Sequence, residues 1–454
     1  MSEIFVDPKN ADIVYVPSQN LYRSNDGGHT FRAIKGAPGG DDYHFVWIDP
    51  TNSQRIMLGV DQGATISLNG GESWSTWYNQ PTGEFYRVAT DHRFPYWVYG
   101  PQQDSGTAGI ASRGNNGQIT EHDWYPVAPG ESGYTIPDPL DPDVVYNAGP
   151  GGSVVRLSKT TGQVRDISPA AVSFGSKYRF DWTIPMAFSP QDPHLLYLGT
   201  QFLLKTSDGG TSVSEWSTVS IVEASHFDAG TAYAAVNRNN HDDLKPHIFR
   251  TRDFGQTWQE MVRGIRERDF VRTVREDPLR KGLLYAGTEM GVYVSFDDGE
   301  HWQSLRLNMP MVAIHDLAIE QDDLIAATYG RAFWILDDVS PLRQLDAHSA
   351  SAGVRLFAPR TAIRVRRDEN QDTPLPPEVP AGKNPPDGAV LNYFLPAKPA
   401  ADIQVEIRDA EGRLVHSYSS EPLPKEPEEV PYVAEYWIAH PQPLSKEVGM
   451  HRFV

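Results

Sequence analysis

The stretch "SNDGGHTF", Ser24 to Phe31, decides how this chain is to be read. A hydroxyl residue, an Asp two places on, a Gly-rich turn, a second hydroxyl and an aromatic could build a metal loop, part of a carbohydrate-cleaving site, or architecture. Near-copies recur as "SLNGGESW" from Ser67, "TSDGGTSV" from Thr206, "TRDFGQTW" from Thr251 and "SFDDGEHW" from Ser295. Their third positions, Asp26, Asn69, Asp208, Asp253 and Asp297, are spaced by 43, 139, 45 and 44 residues. The long spacing is close to three periods. "SRGNNGQI" from Ser112 and "SKTTGQVR" from Ser158 fill it as worn copies, and "WILDD", with Asp337, ends an eighth unit. Self-similarity at such a period marks a repeat architecture.

A second marker precedes each box by about twenty residues: a D-P-type turn, then an apolar strand. It is seen in "DPKNADIVYV" from Asp7, "DPTNSQRIMLG" from Asp49, "DPLDPDVVYNAG" from Asp138, "SPQDPHLLYLG" from Ser189 and "DPLRKGLLYAG" from Asp277. Each unit reads as four short strands, and helical periodicity is absent. The expected fold is an all-β propeller of about eight four-stranded blades over residues 1–340, followed by a partial β-sandwich-like segment. Between them, 341–390 reads as a Pro-rich linker, although "VRLFAPRTAIRV" could return a strand to the propeller; 391–454 reads as the sandwich-like tail, with a hairpin turning at Asp409 to Gly412. One unit is irregular: little chain follows Asp208, and Val213 stands where the box aromatic belongs, as if a segment were missing.

Every residue of the box has a structural task. The Asp accepts backbone N–H bonds across the turn, the glycines supply positive φ, and the second hydroxyl closes the turn from the far side. Trp74, Trp258 and Trp302, with Phe31 in the first copy, are expected to bury against an adjacent sheet. A single active site cannot use copies spread around a ring, and one carboxylate per box falls short of the six or more oxygens calcium takes. Asp26, Asn69, Asp208, Asp253 and Asp297 are therefore read as structural, and no metal or cofactor is expected.

These motifs resemble the BNR or Asp-box repeat of sialidases, xyloglucanase-type glycosidases, sortilin-like receptors and photosystem assembly propellers. "GPQQDSGTAGIASRG", "DDLKPHIFRTRDFGQTW", "TYGRAFWILDDVSPLRQL" and "NPPDGAVLNYFLP" look more closely like large bacterial sortilin-like, or glycosyl-hydrolase-like, repeat proteins. The resemblance implies a longer, exported protein, periplasmic or extracellular, with extra sequence near residue 213 and beyond Val454. The N-terminus shows no signal region, and both ends read as cut.

In a four-stranded blade the D-P turns and the boxes share one face, so binding groups are sought in the loops of the other. Those loops hold carboxylates that could act in catalysis, Asp42, Asp61, Asp104, Asp181 and Glu289. They also hold candidate ligand-binding side chains: His44, Gln62, Tyr86, Gln103, Arg179, Trp182, His315 and Arg331. Carboxylates, amides and aromatics around a funnel suit a peptide, protein or glycan.

Composition narrows the partners. A net charge of −19 without a basic stripe argues against nucleic acid. The absence of cysteine rules out disulfides and thiolate metal sites, and no apolar run is long enough to span a membrane. No G-x-S-x-G elbow and no H-x-x-x-H spacing occur. A sialidase needs an arginine triad; Arg87, Arg179, Arg272 and Arg331 are available, but the acidic balance disfavours an anionic sugar. A glycosidase needs two carboxylates about 5–5.5 Å or 6.5–9.5 Å apart, which the loops permit without singling out a pair. An assembly factor for a membrane complex would show a basic patch. The leading expectation is a non-enzymatic binding propeller, with a glycoside hydrolase as the alternative.

Overall fold

The computed structural model describes residues 3–37, 39–77, 80, 82–115, 117–169, 178–200, 203–207, 221–237, 243–345, 353–365, 379–422 and 442–454. Eight antiparallel blade sheets follow one another at the expected period, spanning 5–35, 43–67, 89–128, 135–166, 186–206, 222–260, 271–304 and 314–336. They are called sheets 1 to 8 below. Sheets 2, 5 and 8 have three strands among the described residues rather than the four expected. The fold is an all-β propeller.

Burial along the strands shows which sheets are sandwiched. In sheet 7 every residue of Leu284–Thr288 and of Gly291–Ser295 is buried, as a sheet covered on both faces requires. Sheet 2 instead alternates: in Tyr43–Ile48, Val46 and Ile48 are buried while Phe45 and Trp47 face outward. One buried cluster joins sheets 6 and 7 through Tyr233, Ile248, Val274 and Trp302, and another joins sheets 7 and 8 through Tyr285, Val294, Leu317 and Leu324.

Sheet 8 then packs on sheet 3, not on sheet 1. Ile325 and Ala327 bury against Phe85, Val88 and Val98. The Arg87 guanidinium donates to the His315 carbonyl, the Thr90 hydroxyl to Glu320, and the Phe85 N–H to the Thr328 carbonyl. Sheets 3 to 8 thus surround one cavity, while sheets 1 and 2 form a packed pair with their own core of Tyr15, Leu21, Ile56, Leu58 and Trp77.

The box turns are superimposable in their bonding. Asp26 accepts from the Ser24 hydroxyl at 2.7 Å, the Thr30 N–H at 2.8 Å and the Thr30 hydroxyl at 2.6 Å. Asp253 repeats this with Thr251 and Thr257, and Asp297 with Ser295 and His301; Asn69 Oδ1 likewise accepts from the Ser67 hydroxyl and the Ser73 N–H, but its Nδ2 donates to the Ser73 hydroxyl. The glycine after the turn, at 28, 71, 255 and 299, has φ between 84° and 93°, where a side chain would be strained. Asp208 lies outside the described residues.

The aromatic position corrects the sequence reading. Trp302 is 4% exposed and packs back onto sheet 6, and Trp74 is partly buried against sheet 1. Trp258 is 43% exposed, and Phe31 is exposed as well. The box ring buries against the preceding sheet. At Trp258 that seam is missing: among the described residues no buried cluster joins sheets 5 and 6.

Because the box bonds are local, they give a clear expectation. The hydrogen bonds from Thr257, hydroxyl before backbone, hold the Asp253 carboxyl down to about 2. A depressed carboxylate stabilises the fold above its unfolded value and loses that contribution as pH falls through the folded one. Asp253→Ala should therefore lower the melting temperature at neutral pH, and Asp253→Asn, which can keep the turn as Asn69 does but not the charge, should fall between the alanine variant and wild type. Differential scanning calorimetry of both variants checks it.

The segment after sheet 8 docks instead of trailing. Arg355–Leu356, from the stretch expected to return to the propeller, pairs with Leu391–Leu395, which pairs in turn with Gly449–Phe453. The hairpin Gln404–Arg408/Leu414–Ser419 turns at Asp409 to Gly412 as expected, and the two sheets share a core of Tyr393, Leu395 and Leu444. Gly382–Lys383 adds to Gln118–Ile119 beside sheet 3, and Arg452 donates to the Asp337 and Asp338 carbonyls at the eighth-unit position. A guanidinium-to-carbonyl clamp to the tail stands there in place of a box turn.

Candidate functional site

The innermost strands of sheets 3 to 8 and the loops that feed them enclose a cavity of about 960 Å³. Its wall takes Tyr86 and Arg87 from sheet 3, Tyr134 from sheet 4, and Arg179 and Asp181 from the loop entering sheet 5. Asn237 of sheet 6, Arg272 and Arg275 of sheet 7 and His315 of sheet 8 complete it. Tyr86, Arg87, Arg179 and Asp181 of this wall come from the entry loops, at the strand ends opposite the box turns.

Arg275 is neutralised from behind, by Asp316 at 2.7 Å and Glu223 at 3.0 Å, and Arg272 is paired with Glu289 at 2.8 Å. Burial, then the positive fields of Arg272 and Arg87, push the His315 imidazole down to about 3, so the ring is neutral at physiological pH. Its Nε2 has no hydrogen-bond partner although the residue is only 6% exposed. The rings of Tyr86 and Tyr329 flank it with centroids at 5.8 and 5.1 Å.

The candidates divide into two groups. Tyr86, Arg179, Asp181 and His315 line the cavity. Trp182 joins them by donating from Nε1 to the Tyr86 hydroxyl at 3.0 Å, and Gln103 accepts from that same hydroxyl. Asp181 is engaged by the Trp182 N–H at 2.7 Å. Arg331 is exposed and does not contribute to the cavity wall.

Asp42, His44, Asp61 and Gln62 sit on sheet 2, outside the cavity. There His44 Nε2 meets Asp61 at 2.5 Å, and Gln62 bonds Asp41 at 2.6 Å. Ligand atoms of Asp42, His44 and Asp61 lie within 4.8 Å of one another, a closer grouping of metal-ligand types than the sequence suggested. Three donors remain well short of a calcium shell.

The acids meet where sheet 2 approaches sheet 3. Burial first, then a hydrogen bond to the Asp104 carboxyl, raises Asp61 to about 6, and Glu131 is raised for the same two reasons. Carboxyls that hydrogen-bond to one another share a proton. Burial and the neighbouring Asp104 push Glu84 up to about 7. A carboxyl raised in this way stabilises the fold below its unfolded value, and that contribution is lost as pH rises through about 7. Glu84→Gln should then raise the melting temperature at pH about 8 and leave it unchanged near pH 5; a thermal scan across that range tests the sign.

Tyr134, Glu131 and Arg275 were not singled out from sequence. A signal existed for two of them: "GESGY" from Gly130 echoes "GEFYR" from Gly83. Arg275 has no such cue, since it lies within the strand Val271–Glu276 and not in a loop.

No family model matches the chain, and no curated protein matches it. Solved structures do. A GH74 enzyme of Niastella koreensis aligns at 14% identity and TM-score 0.23 over 73% of this chain, which spans 62% of that enzyme's length. YCF48 of Cyanidioschyzon merolae aligns at 10% identity and TM-score 0.33, over 73% of this chain and 94% of its own. The extracellular domain of a hybrid two-component system protein of B. thetaiotaomicron aligns at 11% identity and TM-score 0.38, over 92% and 70%. No helix among the described residues is long and apolar enough to cross a membrane.

Proposed function

We propose that this chain is a non-enzymatic, sortilin-like Asp-box propeller of an exported protein, binding a peptide, protein or glycan on the face opposite the box turns. The observation that carries the reading is the cavity itself. Six sheets contribute polar and aromatic side chains to it, while the box carboxylates are consumed by their own turns. Concave sites with a few convergent polar groups are where ligands bind.

One observation favours glycoside hydrolysis as the second reading. Glu84, pushed up to about 7, holds the proton a general acid needs. An array of glycans and peptides, run beside an aryl-glycoside hydrolysis screen, separates the two. Trp182→Ala is expected to weaken binding, and Asp26→Ala to leave it intact. Turnover abolished by Glu84→Gln, or by Asp→Asn at one loop-face acid, would sink the binding-only reading. Binding lost in Asp26→Ala with stability unchanged would reverse the assignment of faces.

A further inference from the structure

We propose that the central cavity is a carboxylate pocket whose ligand is a hexuronate residue of an acidic glycan. The inference rests on the loop-face binding reading and names its ligand class. The chain carries −19, yet the charged residues on the cavity wall are Arg87, Arg179, Arg272 and Arg275 against Asp181 alone. Arg272 and Arg275 are already paired with Glu289, Glu223 and Asp316, so it is Arg87 whose field, in a low-dielectric cleft, is left for a ligand of the other sign, whatever the net charge of the chain.

Arg87 is the centre of the argument. Unlike Arg272 and Arg275, it makes no ion pair among the described residues. One Nη1 hydrogen goes to the His315 carbonyl 3.2 Å away, the Tyr134 side chain hydrogen-bonds the guanidinium, which lies 5.1 Å from that ring, and the buried Nε has no acceptor. A guanidinium left without counter-charge at a cavity wall is unfavourable. A carboxylate, matching its planar fork, would supply both the charge and the acceptors.

The second unpartnered atom, His315 Nε2, belongs to the same wall and to the residue whose carbonyl Arg87 holds. The ring's existing hydrogen bond is to the Phe85 backbone, and it is neutral, so Nε2 is left to accept from a hydroxyl. An acid group beside a hydroxyl is the pattern a sugar acid presents. The rim adds flat rings, Trp182 at 46% and Tyr329 at 54% exposure, on which sugar rings can stack. At about 960 Å³ the cavity lies at the upper end of the range of about 300–1,000 Å³ for small-molecule sites, which suits the end of an oligosaccharide better than a small ion.

The test is isothermal titration calorimetry of the full chain with trigalacturonate and with its carboxyl-reduced counterpart. The acid should bind at least about tenfold more tightly than the reduced form, and added salt should weaken only the acid. Arg87→Gln should remove that preference while leaving the weak binding of the reduced sugar. Arg272→Gln should reduce it too, and the wild-type comparison stands even if a variant fails to fold. Equal binding of acid and reduced forms would overturn the inference. So would Arg87-dependent binding of a peptide with a free C-terminal carboxylate but not of the uronate. Should the reduced sugar bind, depend on Trp182 and ignore Arg87→Gln, the loop-face reading survives and this one falls. If nothing in either series binds, this inference falls, and the loop-face reading is decided by the array of glycans and peptides.

Discussion

Asp316→Ala is expected to cost about 3–5 kcal/mol, the range for breaking a buried ion pair from one side. The Asp316 side chain is fully buried and serves three sheets at once. It accepts from Arg275 at 2.7 Å and the Thr273 hydroxyl at 3.1 Å on sheet 7, from its neighbour Leu317 at 2.9 Å, and from the Val88 N–H of sheet 3 at 3.4 Å. Removing it leaves Arg275 with only Glu223 and the Leu317 carbonyl, and orphans a buried hydroxyl and an N–H. Asp316→Asn keeps the shape and an acceptor, so it should fall between wild type and the alanine variant. Guanidinium unfolding curves provide the measurement. A loss below about 1 kcal/mol would place this carboxylate among ordinary exposed pairs, and the contact of sheets 7, 8 and 3 through it would not matter energetically.

Trp302→Ala should cost a comparable about 3–5 kcal/mol, as large aromatic-to-alanine changes in a packed core do. The ring is buried among Tyr233, Ile248, Met261 and Val274, and its Nε1 donates to the Met261 carbonyl at 3.0 Å. The backbone of Gly264 runs so close that an added Cβ would lie 2.1 Å from the Trp302 carbonyl oxygen, which limits how far the site can collapse. The homologous Trp258→Ala should cost much less, since that ring is 43% exposed and bonds only its own turn through the Gly255 carbonyl. The difference between the two variants measures the seam, because the box chemistry is common to both. Equal losses would mean that the ring acts within the turn and that packing on the preceding sheet contributes little.

Much of the fold was legible because its signals are local. Asp26, Ser24 and Thr30 bond one another within a few residues, so each copy announces a turn and its place in the period. The succession of antiparallel sheets follows from that register, but not the closure expected of about eight four-stranded blades: sheets 3 to 8 surround the cavity, sheets 1 and 2 pair apart from it, and three sheets have three strands among the described residues. The candidate site was legible only as a set of loops. Tyr86, Arg179, Asp181 and His315 do converge, but nothing in their spacing separates them from Asp42, His44, Asp61 and Gln62, which gather on sheet 2. Whole-chain charge was also a poor guide to the cavity, because acids and arginines sort to different places only when the sheets are arranged in space.

By itself, then, the sequence determined the repeat, the turn chemistry and the face on which to look. These depend on hydrogen bonds between residues a few places apart. Tertiary structure alone decided which sheet meets which. Arg87 and His315 are 228 residues apart, and their bond exists because sheet 8 packs on sheet 3 and leaves sheets 1 and 2 outside the cavity. Apolar faces of similar composition are carried by every blade, and only shape and burial distinguish the partner that fits. That choice, not any one motif, places Arg87, without an ion pair among the described residues, and neutral His315 on a single wall.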